Sequence, residues 1–177
     1  MSKAVLISIQ PQWCGRIASG IKTVEVRKAR PKLEAPFKCY IYCTKFKYGE
    51  ILCFPQYKTG KVIGEFVCDR ILDICIEISN PDDSPGYLFP GTWLTDKEIM
   101  QYLGNGKTGY GWHISDLRIY DKPKELSEFK PWNRECEHGD LGLAIPECKS
   151  CHDCKVKRPP QSWCYVEELP EGGKGGG

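Results

Sequence analysis

No apolar run in this 177-residue chain approaches the roughly 18–20 residues that a membrane-spanning helix needs. The longest, Ala4-Val5-Leu6-Ile7-Ser8-Ile9, is the length of a β-strand. The opening Met1-Ser2-Lys3-Ala4-Val5 lacks the apolar stretch of roughly 7–15 residues and the cleavage site of a secretory signal. Internal repeats are absent as well. These absences exclude membrane-spanning, collagen-like and long coiled-coil chains and predict a cytoplasmic protein. What is present, 41% hydrophobic and 27% charged residues, is the balance of a soluble globular domain.

Net charge is also small, +2 overall, but it is unevenly spread. Residues 1–64 carry 12 Lys and Arg against 3 Glu, so the first third is strongly basic and the remainder acidic. A clustered positive potential concentrates phosphates and predicts an anionic partner such as nucleic acid or a nucleotide. The eleven cysteines are not expected to form a disulfide scaffold, since their count is odd and the opening residues do not read as a secretory signal. Cys39, Cys43, Cys53, Cys68 and Cys75 sit in apolar, strand-like segments, where a thiol acts as a small hydrophobe.

The pattern predicts one α+β domain over residues 1–170 and a glycine-rich tail over 171–177. Ala4–Ile9 reads as a strand, and Pro11 suits the first turn of a helix that Ser19-Gly20 ends. Thr23–Arg27 alternates, with Thr23, Glu25 and Arg27 on one face and Val24 and Val26 on the other. Strands follow at Phe37–Cys43 and Lys61–Ile78, the latter long enough to bend or divide. Thr95-Asp-Lys-Glu98 is a capping box that opens a helix through Leu103. Gly111–Tyr120 and Ser162–Val166 read as further strands, separated by a polar, cysteine-bearing insertion over residues 130–158.

The segment Gly20-Ile-Lys22-Thr-Val-Glu25-Val-Arg27 carries the most chemistry. A nucleobase or nucleotide needs an acceptor for its N–H groups and donors for its carbonyl or phosphate oxygens, and Glu25, Lys22 and Arg27 supply both. The competing reading is an ordinary surface ion pair between Glu25 and Arg27, contributing at most about 1 kcal/mol. Tryptophans 13, 93, 112, 132 and 163, with His113, Tyr40 and Tyr42, are candidates for stacking.

This segment matches the GxKxxExR signature of ASCH domains, and the chain resembles that family of the PUA-like superfamily. The resemblance extends through Ser8-Ile-Gln10-Pro-Gln-Trp13, Val62-Ile-Gly-Glu-Phe66, Gly111-Trp112-His113-Ile114 and Pro160-Gln-Ser-Trp-Cys-Tyr165. It implies a small PUA-like β-barrel with a cleft beside the first helix and RNA- or nucleotide-related work there. Gln10, Trp13, Lys22, Glu25, Arg27, Trp112 and His113 are the ligand-binding candidates. Some relatives are enzymes: hydrolases that deacylate a modified cytidine (N4-acylcytidine amidohydrolases) or ribonucleases. The amidohydrolase pattern pairs the motif lysine with a threonine where this chain has Glu25, so Lys22 transfers and the nucleophile does not. A carboxylate flanked by Lys22 and Arg27 is a weaker base and a better fixed acceptor. Binding is therefore the leading expectation. Catalysis by Lys22 and Glu25 is the alternative, and a protein-interaction module is the third reading.

Within the insertion, Cys148-Lys-Ser-Cys151-His-Asp-Cys154 has the loop spacing of metal-binding thiolates, and Cys136 precedes it by twelve residues. The expected group is one structural zinc held by Cys136, Cys148, Cys151 and Cys154, with His138 and His152 as alternate ligands. An iron–sulfur cluster and free or redox thiols are the other readings of the same residues.

Overall fold

The computed structural model describes residues 2–45, 59–77, 88–132 and 155–170, together with the backbone of 136–137 and 144–145. Strand β1 (Lys3–Ile9) runs into helix α1 (Pro11–Ala18), then strands β2 (Val24–Arg27) and β3 (Phe37–Cys43) follow. The predicted 61–78 segment divides into β4 (Lys61–Cys68) and β5 (Ile71–Cys75). A short hairpin, β6 (Leu88–Phe89) and β7 (Leu94–Thr95), leads directly into α2 (Asp96–Leu103). Then come β8 (Thr108–His113), β9 (Ser115–Lys124), the two-residue pair β10 (Cys136–Glu137) and β11 (Ala144–Ile145), and finally β12 (Trp163–Glu167).

The mixed α+β class is as expected, but the described residues contain no closed sheet in place of the predicted barrel. A five-stranded sheet has the order β12-β1-β3-β4-β9, and a three-stranded sheet has the order β2-β8-β5. In the larger sheet β1 is parallel to β3, which the intervening α1 and β2 make possible, and antiparallel to β12. The predicted single strand over 111–120 breaks between His113 and Ser115, so β8 and β9 belong to different sheets. Asp116 beside that break has a positive φ of 46°.

Both sides of the larger sheet are covered. On one side Val5, Ile7, Ile9, Cys39, Ile41, Ile63 and Phe66 meet Cys14 and Ile17 of α1 and Trp112 of β8. On the other, Leu6, Tyr40, Val62 and Val166 pack with Phe129 and Val156. Helix α1 buries Pro11, Cys14 and Ile17, spaced to face one side, and leaves Trp13 half-buried toward the cleft described below. Helix α2 has the predicted capping box, with Thr95 and Glu98 bonding each other's backbone N–H, and buries Ile99 and Leu103 against Val26 and Ile74.

The helix–strand turn after α1 positions the motif. Gly20 takes φ 74°, a conformation that glycine adopts without a Cβ penalty, and donates to Ile17 O at 2.9 Å. The reversal lets Ile21 and Lys22 both donate their N–H groups to Arg16 O at 3.0 Å. Lys22 is thereby turned inward, while Ile21 points out and is 50% exposed.

Among the described residues no helix is long and apolar enough to cross a membrane.

Candidate functional site

The Glu25–Arg27 pair, for which a surface ion pair is the competing reading, is buried. Lys22 is 2% exposed, Glu25 6% and Arg27 8%. The alternation of β2 puts Glu25 and Arg27 on one face, as predicted, but residues on both faces of the strand, all four of them, are buried. Glu25 sits between the two cations: its Oε1 accepts from Arg27 Nη2 at 2.9 Å, and its Oε2 lies 3.4 Å from Lys22 Nζ.

Each cation is also anchored to backbone. Lys22 Nζ donates to Val24 O at 2.8 Å and to Thr92 O at 2.7 Å. Arg27 Nη2 donates to Ser8 O at 2.6 Å. Burial pushes the Lys22 ammonium below the usual lysine range; Glu25 pulls it back up, and Arg27 and Arg16 push it further down.

The Thr92 carbonyl belongs to the turn between β6 and β7, which sequence reading missed. Gly91, at φ 74°, has no room for a side chain: a Cβ there would lie 2.7 Å from Thr23 Oγ1 and 2.9 Å from Val24 Cγ2. This close approach lets Gly91 O accept from both Thr23 N and Val24 N, docking the turn on the motif. Thr92, fully buried, closes the turn through Oγ1 to Phe89 O at 2.8 Å.

The triad forms part of the wall of a cleft of about 1070 Å³. Ser8, Gln10, Gln12 and Trp13 line it from β1 and α1, and Tyr42, Thr44 and Lys45 from the end of β3. Leu94, Glu98 and Tyr102 contribute from β7 and α2, and Lys157 and Pro159–Ser162 from the segment before β12. Ser8 ties that last segment to the wall, since its Oγ donates to Pro160 O and its N–H to Ser162 O.

Of the ligand-binding candidates, the cleft brings together Gln10, Trp13, Lys22, Glu25 and Arg27. Trp112 and His113 lie elsewhere. Trp112 shares the Glu25 face of the three-stranded sheet, but its ring is fully buried against Phe37 and Trp163, with centroids 5.9 Å from each. His113 points to the opposite face, and its Nδ1 lies 2.6 Å from Asp69 Oδ1. Two buried donors, Arg27 Nε and Trp112 Nε1, have no partner among the described residues.

The side chain of Cys136 and all of His138, Cys148, Cys151, His152 and Cys154 lie outside the described residues. Among the described residues no cluster of three or more His, Cys, Asp or Glu side chains could hold a metal ion.

No family model matches the chain, and no curated protein matches it. Solved structures do. The ASCH protein from Zymomonas mobilis aligns with 93% of this chain and 88% of its own, at 18% identity and a TM-score of 0.57. A serine-to-alanine mutant of that protein aligns with 93% and 89%, at 17% identity and a TM-score of 0.56. The fold is that of these ASCH proteins.

Proposed function

We propose that the protein is a binding module for RNA, or for a modified nucleobase or nucleotide, whose base enters the cleft beside the Lys22–Glu25–Arg27 triad. The observation that carries this reading is Glu25, a carboxylate held at both oxygens by cations that are themselves fixed to backbone carbonyls. Such an acceptor cannot swing away, and its oxygens keep lone pairs for the exocyclic N–H groups of a base. Gln10 and Gln12 add amides that donate and accept, and Trp13, Tyr42 and Tyr102 are the aromatic rings of the wall. Four cationic residues against two acidic ones line the cleft, which suits an anionic ligand. The ASCH fold supports the same class of ligand through the resemblance drawn from the motif.

Lys22 and Arg27 serve here mainly to fix Glu25, because their donors are directed to Val24 O, Thr92 O and Ser8 O. A thermal-shift screen with nucleosides, modified nucleosides and short RNAs tests the proposal. A ligand of the native state raises Tm with concentration. At least one member of the set is expected to do so, and a chain indifferent to all of them contradicts the proposal.

Catalysis is the second reading, favoured by the depressed Lys22 ammonium: a lowered pKa leaves more of the amine neutral and available as base or nucleophile. Hydrolysis of an N4-acylcytidine, or RNA cleavage, well above a buffer control and lost in Lys22→Met would establish it over simple binding. A structural zinc on Cys136, Cys148, Cys151 and Cys154 is proposed on ligand spacing alone.

A further inference from the structure

Lys22 and Arg27 are committed to backbone carbonyls and to Glu25; three cations on neighbouring segments are held differently. Arg16 lies with its guanidinium carbon 4.9 Å from the ring centre of Trp13 and 4.7 Å from that of Trp93. Lys28 Nζ lies 5.1 Å from the ring centre of Tyr102, and Arg30 lies 5.4 Å from that of Tyr110. None of the three cations forms an ion pair with a carboxylate among the described residues.

Two of these rings, Trp13 and Tyr102, are walls of the cleft itself. Arg16 and Lys28 are therefore attached to the cleft through shared rings. A guanidinium stacked on a ring keeps its in-plane N–H donors, and an ammonium over a ring keeps its outward ones. Trp93 is 39% exposed and Tyr102 40%, so both rings also offer area to solvent. Trp93 holds its position in a left-handed backbone conformation, φ 58°, which costs a bulky residue energy and is sustained by the docked turn around it.

Resting on the base-binding reading of the cleft, we infer that the ligand is a single-stranded RNA rather than a free nucleoside, with phosphates on both sides of the bound nucleotide meeting Arg16 and Lys28. Alternating rings and unpaired cations are what a sequence-tolerant single-strand track requires: rings take flanking bases, and cations take the phosphates between them. A free nucleoside carries no phosphate for either position.

Homopentamers of adenylate, cytidylate and uridylate, each with its mononucleoside monophosphate, form the test, read by fluorescence polarisation and competition. At about 50 mM salt the best pentamer is expected to bind about tenfold or more tighter than its mononucleotide, with a steep salt dependence. Arg16→Gln and Lys28→Gln should each lower the pentamer-to-mononucleotide ratio, and should each reduce the slope of log K against log salt by about 0.7, the value for one single-strand phosphate contact. Equal binding of pentamer and mononucleotide, or salt slopes that neither substitution changes, overturns the inference and leaves base binding in the cleft intact. Failure of every pentamer and mononucleotide to bind overturns the inference, and failure of the modified nucleosides in the thermal-shift screen as well overturns the reading it rests on.

Discussion

Lys22 Nζ and the carbonyl of Thr92 lie 2.7 Å apart, joining the motif after α1 to a turn 70 residues away in the chain. The contact makes the motif a tertiary junction: β2, the β6–β7 turn and, through Arg27 and Ser8, strand β1 all meet at Glu25.

Removal of Glu25 strands two buried cations, so Glu25→Ala should cost roughly 3–5 kcal/mol of unfolding free energy, as broken buried ion pairs do. Glu34, exposed, is the control: Glu34→Ala should stay within about 0.5 kcal/mol of wild type. Urea titration of the three proteins measures both. A Glu25→Ala cost as small as the control's would mean that the triad does not hold the junction together.

Lys22 has a sign opposite to that of an ordinary surface lysine. Its folded-state pKa is lowered by burial from 10.5, so over the window below 10.5 the unfolded chain binds the extra proton. Its contribution therefore makes the native state more stable as pH rises from the folded value toward 10.5. Denaturant titrations at a series of alkaline pH values should show wild type gaining on Lys22→Met. A constant or shrinking difference contradicts the burial argument.

Cys68 runs the other way. Burial pushes its thiol up from 9.0 to about 12, against the lowering effect of backbone hydrogen bonding at Arg70 and His113. The stability tied to keeping this thiol neutral is complete below pH 9 and is lost as pH rises toward 12. Cys68→Ala should lack that component of the alkaline decline, so wild type should lose ground to the variant across the same window. A difference that does not change between pH 9 and 12 contradicts it.

Elemental analysis of protein purified without added metal tests the zinc proposal. About one equivalent of zinc is expected, with Cys136, Cys148, Cys151 and Cys154 protected from alkylation until a chelator is added. Less than about a tenth of an equivalent, with all four thiols alkylated freely, contradicts it.

Local signals were legible where a few adjacent residues decide the outcome. Pro11 and Gly20 bound α1, Thr95 and Glu98 cap α2, and the long run from Lys61 divides at Asp69-Arg70 into β4 and β5. The β8–β9 break was not legible, because Gly111–Tyr120 is uniformly strand-like and the chain changes sheets within it. The side of the Glu25–Arg27 face was legible as a pattern but not as an environment. Alternation says that Glu25 and Arg27 share a face, and only the burial of both side chains in the folded chain shows that this face is covered. Trp112 fell on the wrong side of the same ambiguity: a tryptophan beside a charged strand fills the core or lines a cleft, and here it fills the core. Thr92 left no sequence signal, since its contribution is a backbone carbonyl delivered by a glycine turn.

The most direct measurement of the central claim is a ¹H–¹⁵N NMR titration of the intact chain with the tightest-binding RNA pentamer. Shifts should concentrate at the Trp13 indole N–H and the backbone amides of Gln12, Lys22, Glu25, Val26 and Arg27, which line the cleft. The amides of β9 and the indole N–H of core-buried Trp112 should move little. Shifts centred on β9 or spread evenly over the surface, with Trp13 and these amides unmoved, would contradict a ligand in this cleft.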